Sequence, residues 1–194
     1  GLEISKLIRR RKKIQKTRIV LLCDVSGSMD VFNAFLLQLM FGIQKQLKNS
    51  KTYVFSTKLT DVSNVIKTRS TMDALEQIAN YVRHWSGGTD ITNALFELNK
   101  GILREGKAST TTLILISDGY DNTSSSPLSD GRTPLEKELQ ILKRRVRRLV
   151  WINPMYGAST FQVRAQALKL AFPYIDCFLP AFDAKALHRL VKGL

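Results

Sequence analysis

Ile19-Val20-Leu21-Leu22-Cys23-Asp24-Val25-Ser26-Gly27-Ser28 is the stretch on which the reading of this chain turns. Five apolar residues in a row suit a strand buried on both faces, as a parallel sheet covered by helices requires. The run then meets a carboxylate, Asp24, and two hydroxyls, Ser26 and Ser28, at alternating positions with a glycine between the hydroxyls. Such a stretch can turn three oxygens toward one point at a strand's end, which is how a small hard cation is held. Beyond it, Phe32, Phe35, Leu36, Leu39, Met40, Ile43 and Leu47 recur at helical spacing with few charges between them, so a mostly buried helix is expected over 30–47.

The alternation continues along the chain. Further strands are expected over 52–56, 60–62, 111–117, 149–153 and 174–179, with the first over 18–23. Further helices are expected over 72–85, 92–103, 135–145, 161–171 and 184–191. The two short strands joined by Thr57-Lys58-Leu59 read as a hairpin and so give one antiparallel strand, while 122–133, rich in Ser and Thr with Pro127 and Gly131, reads as a loop. Alternating strands and helices imply right-handed crossovers and an α/β sandwich, a mainly parallel sheet with one short antiparallel edge strand and helices on both faces. In such folds ligands bind at the carboxyl ends of strands where strand order reverses. The polar motifs fall there: Asp24 ends the first strand, Ile116-Ser117-Asp118-Gly119 ends the fourth, and Ser86-Gly87-Gly88-Thr89-Asp90 opens a helix between them.

At 194 residues the chain fits one domain, and 44% hydrophobic with 24% charged residues is ordinary for a globular protein. No apolar run approaches a membrane span, and the run before Asp24 is too short for a signal-peptide core, so a cytoplasmic protein is expected. Cys23 and Cys177 both sit in apolar runs and are expected to be buried reduced thiols. The net charge of +14 is concentrated: residues 1–18 carry eight basic side chains against Glu3, and residues 132–150 carry seven against two acidic ones. Arg9-Arg10-Arg11-Lys12-Lys13 reads as a solvated linker or helix end within a basic segment over 1–17; nucleic-acid contact is the alternative. The run lacks the interleaved aromatics of a single-strand binding surface.

Taken together, Asp24-x-Ser26-x-Ser28, Thr89 in its Gly-Gly-Thr-Asp turn, and Asp118-Gly119 after an apolar strand resemble the von Willebrand factor A (VWA) domain. They match its metal-ion-dependent adhesion site in order and context. Arg148-Leu149-Val150-Trp151-Ile152-Asn153-Pro154, Pro173-Tyr174-Ile175-Asp176-Cys177-Phe178-Leu179-Pro180 and the basic run before the first strand look like the bacterial CoxE-like branch. The resemblance implies a Rossmann-like three-layer VWA domain over 18–194 in a longer parent protein. It also implies Mg²⁺, with Mn²⁺ and Ca²⁺ as alternatives, held by Asp24, Ser26, Ser28, Thr89 and Asp118. Ser26 and Ser28 would bind directly, Thr89 directly or through water, and Asp24 and Asp118 mainly through water. Neutral hydroxyls leave such a cation under-neutralised, so it would attract an Asp or Glu from a protein partner. CoxE-like proteins are linked to MoxR-type AAA+ ATPases and to metalloenzyme maturation, which implies a non-enzymatic chaperone adaptor.

Other chemistries fail on residues. A calcium EF-hand counted from Asp24 meets Met29 where glycine is needed and Phe35 where glutamate is needed. There is no Gly-Lys-Ser/Thr phosphate loop, and Ser26-Gly27-Ser28 lacks the glycine before the nucleophile of a hydrolase elbow. His84 and His188 stand far off in sequence and read as surface or capping residues, Trp85 and Trp151 as core or loop anchors. No general base of suitable type stands near the motif for metal-assisted hydrolysis. Asp30, Asp90 and Asp121 read as caps or solvated residues rather than as supports of the metal ligands.

Overall fold

The computed structural model describes residues 17–46, 49–68, 70, 73, 74, 76–78, 80, 88–101, 108–122, 126–156 and 165–180. Strand β1 (Arg18–Asp24) is buried at every position and runs between β2 (Ser50–Phe55) and β4 (Thr111–Ile116), both parallel to it. Strand β3 (Leu59–Asp61) returns antiparallel along β2. On the other side β5 (Arg148–Asn153) and β6 (Cys177–Pro180) extend the sheet in parallel. The order is β3-β2-β1-β4-β5-β6. The chain therefore builds outward from β1 on one side, then crosses back to start the other half with β4. That reversal lies between β1 and β4.

The inward alternation of side chains divides the core in two, as the period of 2 along a strand requires. Val20, Leu22, Leu113, Leu115, Leu149 and Trp151 pack with Ile91, Leu95 and Leu98 of α3 (Ile91–Lys100), Leu139 and Leu142 of α4 (Pro134–Arg145), and Leu168 of α5 (Gln166–Ala171). Their neighbours Ile19, Leu21, Cys23, Ile114, Ile116, Val150 and Ile152 face the opposite way. They pack against Leu36, Met40 and Ile43 of α1 (Asn33–Gln46) and Ile66 of α2 (Ser63–Thr68). Three layers result, and β1, β4 and β5 are covered on both faces, which is why each carries a continuous apolar run.

Several boundaries differ from the sequence expectation for local reasons. The first helix does not begin as α-helix: Gly27–Phe32 forms a 3₁₀ turn, opened by the Met29 N–H donating to the Ser26 carbonyl at 2.9 Å. Helix α3 stops at Lys100, where the Gly101 N–H bonds back to the Glu97 carbonyl. Helix α4 starts on a capping box: Thr133 accepts from the Glu136 N–H, and the Glu136 carboxylate accepts from the Thr133 N–H at 2.8 Å. The last strand is shorter and later than 174–179, because Phe172–Tyr174 is a 3₁₀ turn and the Asp176 carboxylate is engaged by the Leu149 N–H at 2.8 Å. Cys177 is half-buried, not buried as expected, since β6 is an edge strand. Cys23 is fully buried and reduced. The expected helix over 184–191, most of that over 72–85 and the first part of that over 161–171 lie outside the described residues, as do His84, Trp85 and His188.

Candidate metal centre at the strand-order reversal

Asp24 is the last residue of β1, opposite Phe55 of β2 and beside the end of β4. Its side chain is fully buried and both oxygens are used. Oδ1 accepts from the Ser26 N–H at 3.0 Å, closing a tight turn that sends the chain upward from the strand. Oδ2 accepts from the Ser117 hydroxyl at 2.7 Å. Burial pushes the Asp24 carboxyl up to about 6, and the charge of Asp118 adds to that rise, while the bonds from Ser26 and Ser117 pull the other way. The same burial, reinforced by Asp24, raises the neighbouring Cys23 thiol, so it behaves as an inert apolar group.

Ser26 Oγ and Ser28 Oγ lie 3.2 Å apart. Ser26 is buried and Ser28 exposed, so the hydroxyl pair leads from the floor of the site to its rim. Adjacent corners of a Mg²⁺ octahedron with ligands at about 2.1 Å are roughly 3.0 Å apart, so this spacing suits two neighbouring ligands of one ion. Among the described residues no three His, Cys, Asp or Glu side chains gather as a metal cluster. An ion here would meet a mixed set of hydroxyls and at most two carboxylates, which is hard-cation chemistry. The residues fit the group that the motif implies.

Asp118 follows β4 by one residue beyond Ser117 and is buried. Its Oδ1 accepts from the Tyr120 N–H at 3.0 Å, and its carbonyl accepts from Asn153 Nδ2 at 3.0 Å. Ser117 is held from the β5 side, its carbonyl accepting from Trp151 Nε1 at 2.9 Å, and its hydroxyl also accepts from the Gly119 N–H at 3.0 Å. Gly119 has φ +84°, and a Cβ there would stand 2.8 Å from Leu168 Cβ. The turn after β4 thus needs glycine on two counts.

Thr89, also buried, sits in the segment leading into α3. That segment is clamped from both sides. The Asp90 N–H donates to the Ser56 carbonyl at 2.8 Å, just past β2, and the Asn122 N–H donates to the Thr89 carbonyl at 2.9 Å. The Asp121 carboxylate accepts from the Ile91 N–H at 3.1 Å, while Asp90 caps α3 by accepting from the Asn93 N–H at 2.7 Å. Gly88 lets Asn122 close over it: a Cβ there would lie 1.4 Å from Asn122 Nδ2. No hydrogen bond among the described residues joins the side chains of Thr89 or Asp118 to Ser26 or Ser28. What brings the five expected ligands to one end of the sheet is the strand ends and loops that carry them.

The sequence reading missed Ser117, which joins the ends of β1 and β4, and Asn122, which holds the Thr89 segment. The signal for Ser117 was its position directly before Asp118. Nothing local signals Asn122, whose partners are more than thirty residues away. Asp90 is the helix cap expected of it. Asp121 does more, tying the start of α3 to the loop after β4. Trp151 is a core residue.

Residues 1–187 match the family profile described as "VWA domain containing CoxE-like protein". Among curated proteins none matches the chain significantly. Solved structures are similar at low identity. An aerotolerance-related membrane protein from Bacteroides fragilis, crystallised with multiple mutations to serines, is 12% identical, with 92% of this chain and 100% of that chain covered at a TM-score of 0.58. Proximal thread matrix protein 1 of the mussel byssus, with a zinc-occupied MIDAS motif, is 19% identical over 91% of this chain and 47% of its own, at 0.55. The pilus adhesin SpaC from Lactobacillus rhamnosus GG, in an open conformation, is 14% identical over 94% of this chain and 30% of its own, at 0.57. These likenesses carry the fold, and this chain spans less than half of the mussel and pilus chains.

Proposed function

The chain belongs to the family of CoxE-like proteins that contain a VWA domain, and we propose that it works as a metal-dependent protein-binding module and not as an enzyme. The observation that carries this reading is the Ser26–Ser28 hydroxyl pair, 3.2 Å apart and raised on a turn above the buried Asp24. Ser26 and Ser28 would hold the ion directly, Thr89 directly or through water, and Asp24 and Asp118 chiefly through water. Mg²⁺ is the ion that hard oxygen donors of this kind suit first, with Mn²⁺ and Ca²⁺ next. When bound, it would supply a positive charge that two hydroxyls do not cancel, and so a coordination place for an outside carboxylate.

This chain's own residues do the rest. The bond from Ser117 orients Asp24, and the Ser56 and Asn122 contacts hold the Thr89 segment at the same end of the sheet. Ser28 is exposed, so a bound ion would be within reach of a partner's Asp or Glu. Family membership further supports a MoxR-type AAA+ ATPase as the partner, with the domain acting in the cytoplasm as the adaptor of a chaperone that matures metalloenzymes.

Calorimetry with Mg²⁺ tests the site. Asp24→Ala and Ser26→Ala should each abolish binding while amide spectra show an intact fold. Unchanged Mg²⁺ affinity in both variants overturns the metal assignment. Co-sedimentation with a MoxR-type ATPase in Mg²⁺ and in EDTA tests the partner, and complex formation indifferent to EDTA overturns carboxylate capture.

A further inference from the structure

The two basic stretches of the sequence meet in the fold. Arg147 Nη1 donates to Thr17 Oγ1 at 3.0 Å, across 130 positions of chain. Thr17 leads into β1, and Arg147 stands between the end of α4 and the start of β5, its N–H on the Thr111 carbonyl at 2.9 Å where β4 begins. Register sets Arg18 opposite Thr111 and Arg148 opposite Thr112. The amino ends of β1, β4 and β5 therefore adjoin the last turn of α4, with Lys143, Arg144 and Arg145. They also receive the chain from residues 1–16, which hold seven basic side chains against Glu3. Asp24 closes β1 at its other end, so at about 3.3 Å per residue the candidate metal centre lies roughly 20 Å away.

Part of this charge is consumed within the fold. Lys143 pairs with Asp176, and the charge of half-buried Arg148 acts on the same carboxylate. Arg145 donates to the Asn99 carbonyl in the last turn of α3. A helix C-terminus presents about half a negative charge, so α3 and α4 together call for about one cation. Arg145 and Lys100 already supply it. Three arginines are left over. Arg144 is exposed, and Arg18 is only 8% exposed; neither has a carboxylate partner among the described residues. Arg147 is exposed, and its guanidinium holds only the Thr17 hydroxyl among them. The basic residues of 1–16 come on top of these.

What would balance such a surplus is a row of closely spaced anions with no apolar centre. None of the large exposed hydrophobics among the described residues belongs to 17–18, 108–111 or 143–148, whereas a protein interface buries an apolar core in which charge is depleted. No Phe, Tyr or Trp occurs in 1–18 or 143–148, so the bases of a single strand find nothing to stack on. Arginine's planar fork fits phosphate oxygens in pairs. A duplex offers about one phosphate per 1.7 Å of its axis.

We propose that the amino ends of β1, β4 and β5 bind the phosphate backbone of a nucleic-acid duplex, with Arg144 and Arg147 as contacts, Arg18 adding to the field and Arg9–Lys13 contributing further phosphate contacts. Such contacts hold the backbone and do not read sequence. The surface is separate from the metal centre. It lets the domain hold a nucleic acid at one end of the sheet and a partner protein at the other.

The probe is a short mixed-sequence DNA duplex, titrated at several salt concentrations in EDTA so that metal-dependent capture is absent. Log affinity should fall linearly with log salt, and a duplex of scrambled sequence should bind equally. Arg144→Gln combined with Arg147→Gln should reduce that slope by about 2, since each lost phosphate contact is worth roughly 0.9. Replacing all five residues of Arg9–Lys13 by glutamine should reduce it further. Amide shifts on duplex binding should fall at 17–18, 111 and 143–148 and leave 89 and 118 unmoved. Both substituted arginines are exposed, and the amide spectrum of each variant reports its fold directly. Asp24→Ala should leave duplex binding unchanged, so failure of the metal reading would not touch this one. Absence of duplex binding, a slope indifferent to the arginine pair, or tighter binding of poly-glutamate or of equimolar phosphatidylserine–phosphatidylcholine vesicles than of the duplex would each overturn the proposal.

Discussion

The Ser117 hydroxyl donates to Asp24 Oδ2 across 2.7 Å, joining residues that are 93 positions apart in the chain and one strand apart in the sheet. Through Ser117 the ends of β1 and β4 are held in register, and beneath them Trp151 and Ile152 of β5 fix Ser117 by its backbone. The carboxylate cannot swing without breaking this bond. Ser117→Ala should therefore cost about 1.5–3 kcal/mol, the worth of a hydrogen bond to a charged group. It should also lower Mg²⁺ affinity, because Asp24 loses its orientation. Urea unfolding with and without Mg²⁺ separates the two effects; an identical shift in both conditions would show that the bond serves stability alone.

Gly88 and Asn122 give a second test. A methyl group at 88 would displace the Asn122 amide, which stands 1.4 Å from its place, and Asn122 is the residue whose N–H holds the Thr89 carbonyl. Gly88→Ala should keep the fold, since a side-chain end can rotate away, yet weaken Mg²⁺ binding several-fold. Adding Asn122→Ala to Gly88→Ala should restore most of that loss. Calorimetry on Gly88→Ala, Asn122→Ala and the double variant reads the cycle.

Gly119 should be less forgiving. Its φ of +84° is strained for any other residue, and an added Cβ would press on Leu168 and Ala165. Gly119→Ala is expected to destabilise by about 1–3 kcal/mol. For a domain of this size that is a fall of roughly 2–12 °C in Tm by differential scanning calorimetry.

Acid should loosen the β5–β6 edge. Partial burial alone would raise the Asp176 carboxyl, but the Leu149 N–H, the Lys143 ammonium and the charge of Arg148 together hold it below the usual carboxylate range. A group depressed in the folded state stabilises above its unfolded pKa of about 3.9, and that stability disappears as pH falls through the folded value. Wild-type and Asp176→Asn proteins should therefore differ fully in unfolding free energy above about pH 4 and converge as pH falls from there through the folded value. Parallel urea titrations across that range check it.

Much of the fold was open to a reader of the sequence because the sheet is covered twice. Leu113-Ile114-Leu115-Ile116 has no polar face to alternate with, and continuous apolar runs of this kind betray parallel central strands. The edges were harder to read. β6 is half-buried along its whole length, so its apolar content did not reveal where pairing starts, and a bend at Asp176 delays it. The onset of the first helix misled for another reason: Gly27–Phe32 has the composition of a helix start but the hydrogen bonds of a tighter turn. That Asp24, Ser26, Ser28 and Asp118 stand at strand ends was legible, because a carboxylate after an apolar run announces where a strand stops. The clamp on Thr89 was not, since it is made by backbone groups and by a glycine whose missing side chain matters only to a residue 34 positions later.

Trp151 has one more use. Its indole is wholly buried, and its Nε1 hydrogen bonds to the carbonyl of Ser117, one residue from Asp118. Indole emission depends on the polarity and bonding around that nitrogen, so the ring is a fluorophore joined to the loop that carries Asp118 of the candidate metal centre. With Trp85 replaced by phenylalanine, emission from this single chromophore would report the proposed ion binding and partner capture in real time, with no label attached.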